Sequence, residues 1–235
     1  MFNTDILSKL TSSELSPTVI SSDPSKNTLV NRGAVISIKH PRIFEPVLLV
    51  VQKVGDFSIY VKMPEAFLRN NVLKGDVVTC HVLIDNYEYE LTAYINDIEF
   101  LYPRHMRLVV ERIRKNHNNR QFKRYLVNLP ANLQFPDSNE TFFGVIKNIS
   151  ANGIGVIFRE HVDINSLVNV KVSTSIRHNE TLEFNATILR AVPSDGYNEY
   201  GMKIIEIDVE NKDKMDKLLG FLEEDIAKFV TDSLK

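Results

Sequence analysis

Apolar and polar residues alternate with a period of two along most of this chain, in short runs. Residues 34–38, 47–54, 57–62, 77–84 and 87–94 read as strands, because successive side chains of an extended backbone point to opposite faces. Gly55-Asp56, Gly75-Asp76 and Asp85-Asn86 supply turns between them. Met63-Pro64 ends the third run, since proline has no N–H to give a ladder. A second set follows at 125–135, 142–149, 154–158, 168–173, 182–192 and 200–207. Pro136-Asp137, Asn152-Gly153, Asn179 and Ser194-Asp195-Gly196 separate its members. Short strands at this spacing, with little helix among them, predict a mainly all-β fold of two small antiparallel β-barrels. The chain ends on a helical period: Met215, Leu218, Leu219, Leu222, Ile226, Phe229 and Val230 share one face. This C-terminal amphipathic α-helix is expected to cover a barrel or a domain interface. Its polar face is not cationic, which argues against a membrane surface.

Between the two strand sets, residues 104–124 carry eight Arg and Lys against the single acid Glu111, and 116–119 are polar and loop-like. The domain organisation expected is therefore a polar segment over 1–28, with a short helix at 4–10, and an N-terminal split-barrel-like β domain over 29–113. A basic connector over 114–124 and a second barrel with its helix over 125–235 complete it. The net charge is -2 over 235 residues. An anion site must then come from a local cluster, and overall charge argues against a general nucleic-acid surface. The one cysteine, Cys80, excludes an internal disulfide framework and a multi-thiolate metal site. Six histidines show no metal-like spacing, and no phosphate-binding glycine loop or paired acid–base motif occurs. A non-enzymatic protein with no metal and no cofactor is expected. With no basic leader before an apolar run and no apolar stretch of about 20 residues, a cytoplasmic location without membrane insertion is expected.

Two short segments carry candidate chemistry. Arg120-Gln121-Phe122-Lys123-Arg124 places two arginines four residues apart at the entry to the second barrel. A guanidinium fork matches a phosphate, or the N7/O6 edge of guanine, through two parallel hydrogen bonds. Taken alone, such a pair is more often a solvated linker. Asn148-Ile149-Ser150-Ala151-Asn152-Gly153 spans the end of one strand and the start of the next. Asn148 and Ser150 share a face there and offer an amide and a hydroxyl. Gly153 would permit positive φ or close approach of a ligand. The plain alternative is a hairpin with Asn152-Gly153 at a type I′ corner.

Together these segments resemble the PilZ domain. Arg-x-x-x-Arg is followed 24 residues later by Asn-x-Ser-x-x-Gly, and Tyr200-Gly201-Met202-Lys203-Ile204 supplies the late Gly-hydrophobic-x-hydrophobic strand. The preceding β domain and basic connector are similar to the flagellar-brake subgroup. The resemblance implies a receptor for cyclic di-GMP. Arg120 and Arg124 would contact its phosphates and guanines, Asn148 and Ser150 would hydrogen-bond it, and Gly153 would leave room. Arg114, Asn119, Gln121, Phe122, Lys123 and Asn152 are secondary candidates. The implied mechanism is a connector, mobile because its like charges repel, that ligand pins to the barrel, rearranging the domains. The implied output is flagellar motility, through motor or stator components as protein partner. Regulation of exopolysaccharide synthesis or adhesion is the rival output, and a nucleic-acid-binding barrel the rival function. Asn119 stands where many members have another arginine, and Asn148 where many have an acid.

Overall fold

The computed structural model describes residues 12–15, 20–21, 29–43, 45–85, 87–99, 101, 103–136, 140–174, 180–194 and 196–235. The helix expected at 4–10 and the turn residues Asn86, Asp137, Asn179 and Asp195 lie outside them. The chain forms two compact units: Met1–Asn119 with Lys228–Lys235, and Arg120–Ala227.

The first unit holds β1 (Ser12–Leu15), β2 (Val35–Lys39), β3 (Val47–Gly55), β4 (Ser58–Lys62), α1 (Glu65–Arg69), β5 (Val77–Ile84), β6 (Tyr87–Glu99) and β7 (His105–His117). β7-β4-β3-β2-β5-β6 is a closed antiparallel ring sealed by β6 against β7, and β1 adds to β7. Closure turns every second side chain inward, and where β7 runs on past its last β4 partner, Val109, it offers the edge that β1 takes. Ile36, Ile38, Val51, Ile59, Val61, Leu91, Ile95 and Leu108 fill this interior. At the β5 entry, Gly75 takes φ +92°, as the expected turn requires.

The second unit holds β8 (Tyr125–Phe135), β9 (Glu140–Ser150), β10 (Gly153–Phe158), β11 (Leu167–Thr174), β12 (Glu180–Ser194) and β13 (Tyr197–Glu206), followed by α2 (Val209–Ser233). The ring order is β10-β13-β12-β11-β8-β9. Leu133, Ile146, Val170, Val172, Ala186 and Ile188 are fully buried inside it. Met215 and Leu218 of α2 are buried against that core, with Leu219, Leu222 and Ile226 packed on it. Phe229, which the same periodicity placed on the apolar face, is instead exposed. Both barrels and the terminal helix thus match the expected fold class.

Three local features differ from the expectation. Ser12–Leu15 forms a strand inside the segment read as polar loop, because its ladder is completed by Ile113–Asn116 of β7. Five residues after Pro64 form the short helix α1. The first four residues of the expected basic connector, 114–117, are strand, since His105–His117 is β7. Met106, Leu108, Val110 and Ile113 are buried there, while Arg112 and Arg114 face out. The charge count hid a period-two pattern.

Tyr200 locks the end of β10. Its ring stacks on Phe158 with centroids 4.2 Å apart. Its hydroxyl donates to the Glu160 carbonyl at 2.8 Å and accepts from the Val162 N–H at 3.0 Å. Tyr200→Phe strands both backbone groups, and should lower unfolding stability by about 1–3 kcal/mol in a denaturant titration. An unchanged midpoint would show that these bonds do not matter.

Candidate functional site

The candidate site is built on the β9–β10 hairpin and the segment that leads into β8. Asn148 in β9 pairs with Leu126 of β8 on one side and with Gly155 of β10 on the other. A bulge between Gly155 and Val156 sets this register, bending the strand and re-aiming its side chains. Ile149, beside Asn148, is fully buried, so Asn148 faces out of the barrel. A methyl group on Gly155 would overlap the Asn148 amide, at 2.9 Å from both its Cγ and its Oδ1. The amide therefore lies flat over Gly155, and it makes no hydrogen bond to a described residue. This is an oriented amide held ready by its neighbour's missing side chain.

Ser150 sits two residues along, paired with Gly153, and is buried at 1% exposure. Its hydroxyl has two acceptors inside the hairpin, the Gly153 carbonyl at 3.0 Å and Asn152 Oδ1 at 3.2 Å. The proton is thus committed to the turn, and only the oxygen lone pairs remain to offer a partner.

Gly153 does not have positive φ, and neither do Ala151 and Asn152, so the corner is not a type I′ turn. Its lack of a side chain has another cause. A Cβ there would lie 2.6 Å from the Met202 carbonyl oxygen of β13, a backbone atom with little freedom to move. Asn152 is exposed, and its carbonyl accepts from the Ile204 N–H at 3.0 Å.

The Arg120–Arg124 segment has no regular secondary structure, and all five of its side chains are exposed. The Tyr125–Ile149 pair fixes where it joins the barrel, bringing Arg124 to the end of β9 that carries Ser150. Lys123, between the arginines, is tied down. Its ammonium donates to Glu223 of α2 at 2.8 Å and lies 5.1 Å from the Tyr125 ring centre. The hydrogen bond to Glu223 raises the lysine's pKa above its ordinary value, and the same bond lowers the glutamate's. Phe122 is 43% exposed.

Of the remaining secondary candidates, Arg114 belongs to β7, where its guanidinium faces Glu14 at 3.6 Å and Glu90 at 3.8 Å. Asn119 Oδ1 accepts from the His117 Nδ1–H at 2.6 Å. Within the segment over 114–124, the first residues are strand, and Arg114 and Lys123 have acidic partners. Sequence reasoning missed Gly155, although the spacing Gly153-Ile154-Gly155 places two glycines on one face of a strand.

Residues 118–221 match the PilZ domain family. No curated protein matches the chain. Among solved structures, the chain is similar to the Bacillus subtilis inhibitor of motility MotI/DgrA, at 15% identity over 85% of this chain and 99% of that one, with TM-score 0.42. It is also similar to YcgR of Escherichia coli in complex with c-di-GMP, at 10% identity over 86% and 89%, with TM-score 0.45. The K. pneumonia MrkH–c-di-GMP complex is similar at 10% identity over 83% and 89%, with TM-score 0.47.

The hairpin geometry separates two glycine substitutions. Gly153→Ala must push strand against strand and should cost about 1–3 kcal/mol of stability. Gly155→Ala meets only the end of a side chain, and should leave the unfolding midpoint nearer the parent while turning the Asn148 amide aside. Equal losses would contradict the assignment. Glu223→Ala should speed amide exchange at 120–124 without changing it in β11 and β12. Unaltered exchange at 120–124 would show that Lys123 is not what holds the segment.

Proposed function

Starting from the PilZ domain in the C-terminal region of the chain, we propose that this protein is a non-enzymatic receptor for cyclic di-GMP. One observation carries the reading. Inside the matched residues, Arg120-x-x-x-Arg124 and Asn148-x-Ser150-x-x-Gly153 are both present, and the β8–β9 ladder brings them to one end of one barrel. The ligand has two phosphates and two guanines. Arg120 and Arg124 supply donor forks for phosphate oxygens and for the guanine N7/O6 edge. The Asn148 amide, lying open on the barrel wall, supplies a donor and an acceptor to a base. Ser150 holds the hairpin and lends its oxygen. Gly153 keeps β10 close to β13, and Asn119, Gln121, Phe122 and Asn152 border the same site. The neutral Asn148 leaves phosphate attraction to the arginines.

Ligand drawing on Arg120 and Arg124 competes with the tie from Lys123 to Glu223, so binding and the position of the connecting segment are coupled. A ligand can shift such an equilibrium only by binding the two arrangements with different affinity. In this reading the two barrels change arrangement in the cytoplasm, and a protein partner among the flagellar motor or stator components reads the change. The two-barrel architecture, which resembles that of the flagellar-brake subgroup, supports this half.

Calorimetric titration of the full chain with cyclic di-GMP tests the receptor reading. Saturable binding is expected, abolished in the Arg120→Ala, Arg124→Ala double variant and absent with GTP. A folded parent that takes up no ligand would overturn it.

A further inference from the structure

The outer wall of the first barrel carries cations that no acid meets. On this wall Lys53 of β3 pairs across the ladder with Tyr60 of β4, and Tyr60 pairs with Arg107 of β7. Ile59 and Val61, on either side of Tyr60, are fully buried. The row Lys53–Tyr60–Arg107 therefore faces out of the barrel.

This row gathers two positive charges about one ring. Lys53 Nζ lies 5.5 Å from the centre of the Tyr60 ring, and the Arg107 guanidinium 5.8 Å from it. The ring's negative face attracts each of them. Arg107 Nε is shut away from water with no hydrogen-bond partner. Among the described residues, neither Lys53 nor Arg107 makes an ion pair. Asp97 stands opposite Arg107 in the β6–β7 ladder, but it follows a bulge after Ile95 and forms no ion pair with it. Two other nearby acids are engaged elsewhere, Glu99 with His105 at 3.8 Å and Glu65 with Arg69. Two residues along β4 from Tyr60, Lys62 joins Arg104 at the border of a hollow of about 240 Å³, with Met63, Leu68 and Pro103 in its lining. Like charges held this close repel one another. Elsewhere on the same barrel a cation of this kind is met by acids, as Arg114 is by Glu14 and Glu90.

We propose that this wall of the first barrel docks an acidic segment of a partner protein, whose carboxylates take Lys53, Arg107, Lys62 and Arg104. Charge complementarity carries the assignment: four cations without acidic partners share one wall in a chain of net charge -2. The Tyr60 ring holds two of them in place beforehand, which lowers the entropy cost of binding. A guanidinium beside an ammonium suits carboxylates, the first through its fork and the second as a point charge. Nucleic acid fits this wall less well. The ring in the row already has two cations against it, so it is no open platform for a base. Four side chains are also a short run for tracking a phosphate backbone. The inference stands apart from the receptor reading, since it concerns the other unit and its test needs no cyclic di-GMP.

The test is the fluorescence anisotropy of a labelled peptide of alternating Glu and Ser, titrated with the full chain at low salt. Saturable, salt-sensitive binding is expected, weakened roughly tenfold or more in the Lys53→Glu, Arg107→Glu pair. The neutral pair Lys53→Gln, Arg107→Gln should weaken it in the same direction. Tyr60→Leu, which keeps both charges but removes the ring that gathers them, should cause a smaller loss. Lys212→Glu with Lys217→Glu on α2 changes the net charge equally and should leave binding at parent strength. Each variant is first checked for an unchanged melting transition. A parent that does not bind the peptide, or an equal loss in the α2 pair, would overturn the inference. A single-stranded oligonucleotide that binds more tightly than the peptide at the same salt, through the same two residues, would overturn the acidic protein partner and assign the wall to nucleic acid.

Discussion

The close approach of β10 to β13 at Gly153 is the constraint on which the rest of the candidate site depends. The Met202 carbonyl sits where a side chain on Gly153 would have to go, so the two strands meet only because residue 153 has none. That contact holds the hairpin in its register. Ser150 reinforces it from within, with its hydroxyl 3.0 Å from the Gly153 carbonyl. The same register sets Asn148 opposite Gly155 and Gly155 opposite Gly201. The outward face is thereby floored by two glycines, with the Asn148 amide lying over Gly155 and the Arg190 side chain over Gly201. The closed ring makes the face rigid, because no strand can slip without turning its buried residues outward.

Charge is handled locally in the segment that leads to this face. Lys123 is paired with Glu223 at 2.8 Å, and Arg114 lies between Glu14 and Glu90. These pairs are exposed and individually weak. Their effect is positional: they direct the segment's cations to particular acids. A dianionic ligand that enters this segment competes with the Lys123–Glu223 pair.

Much of the fold was legible in the chain because barrel strands advertise themselves by alternation. The strand at 77–84 and the run at 125–135 have buried and outward residues in turn, as their sequence implies. β7 was obscured because its outward positions are arginines, so charge was read before period. β1 was not readable at all: Ser-Ser-Glu-Leu has no strand pattern, and it pairs only because β7 offers an edge. The motif residues of the site were visible as types and spacings. Their division of labour was not. Ser150 could not be known to spend its proton on its own hairpin, nor Gly153 to answer to a carbonyl from β13, since both contacts depend on the register. The stacking of Asn148 over Gly155 depends on a bulge, which a strict period of two does not encode.

The central claim is that the outer face from β9 to β13, with the segment over 118–124, binds a guanine cyclic dinucleotide. Backbone amide exchange of the full chain, with and without cyclic di-GMP, tests it most directly. The account predicts protection confined at first to 118–124, the β9–β10 hairpin and the Gly201 stretch of β13, with the interior of the first barrel unchanged. Ligand-dependent protection that left these three segments untouched, or none anywhere in the chain, would contradict it.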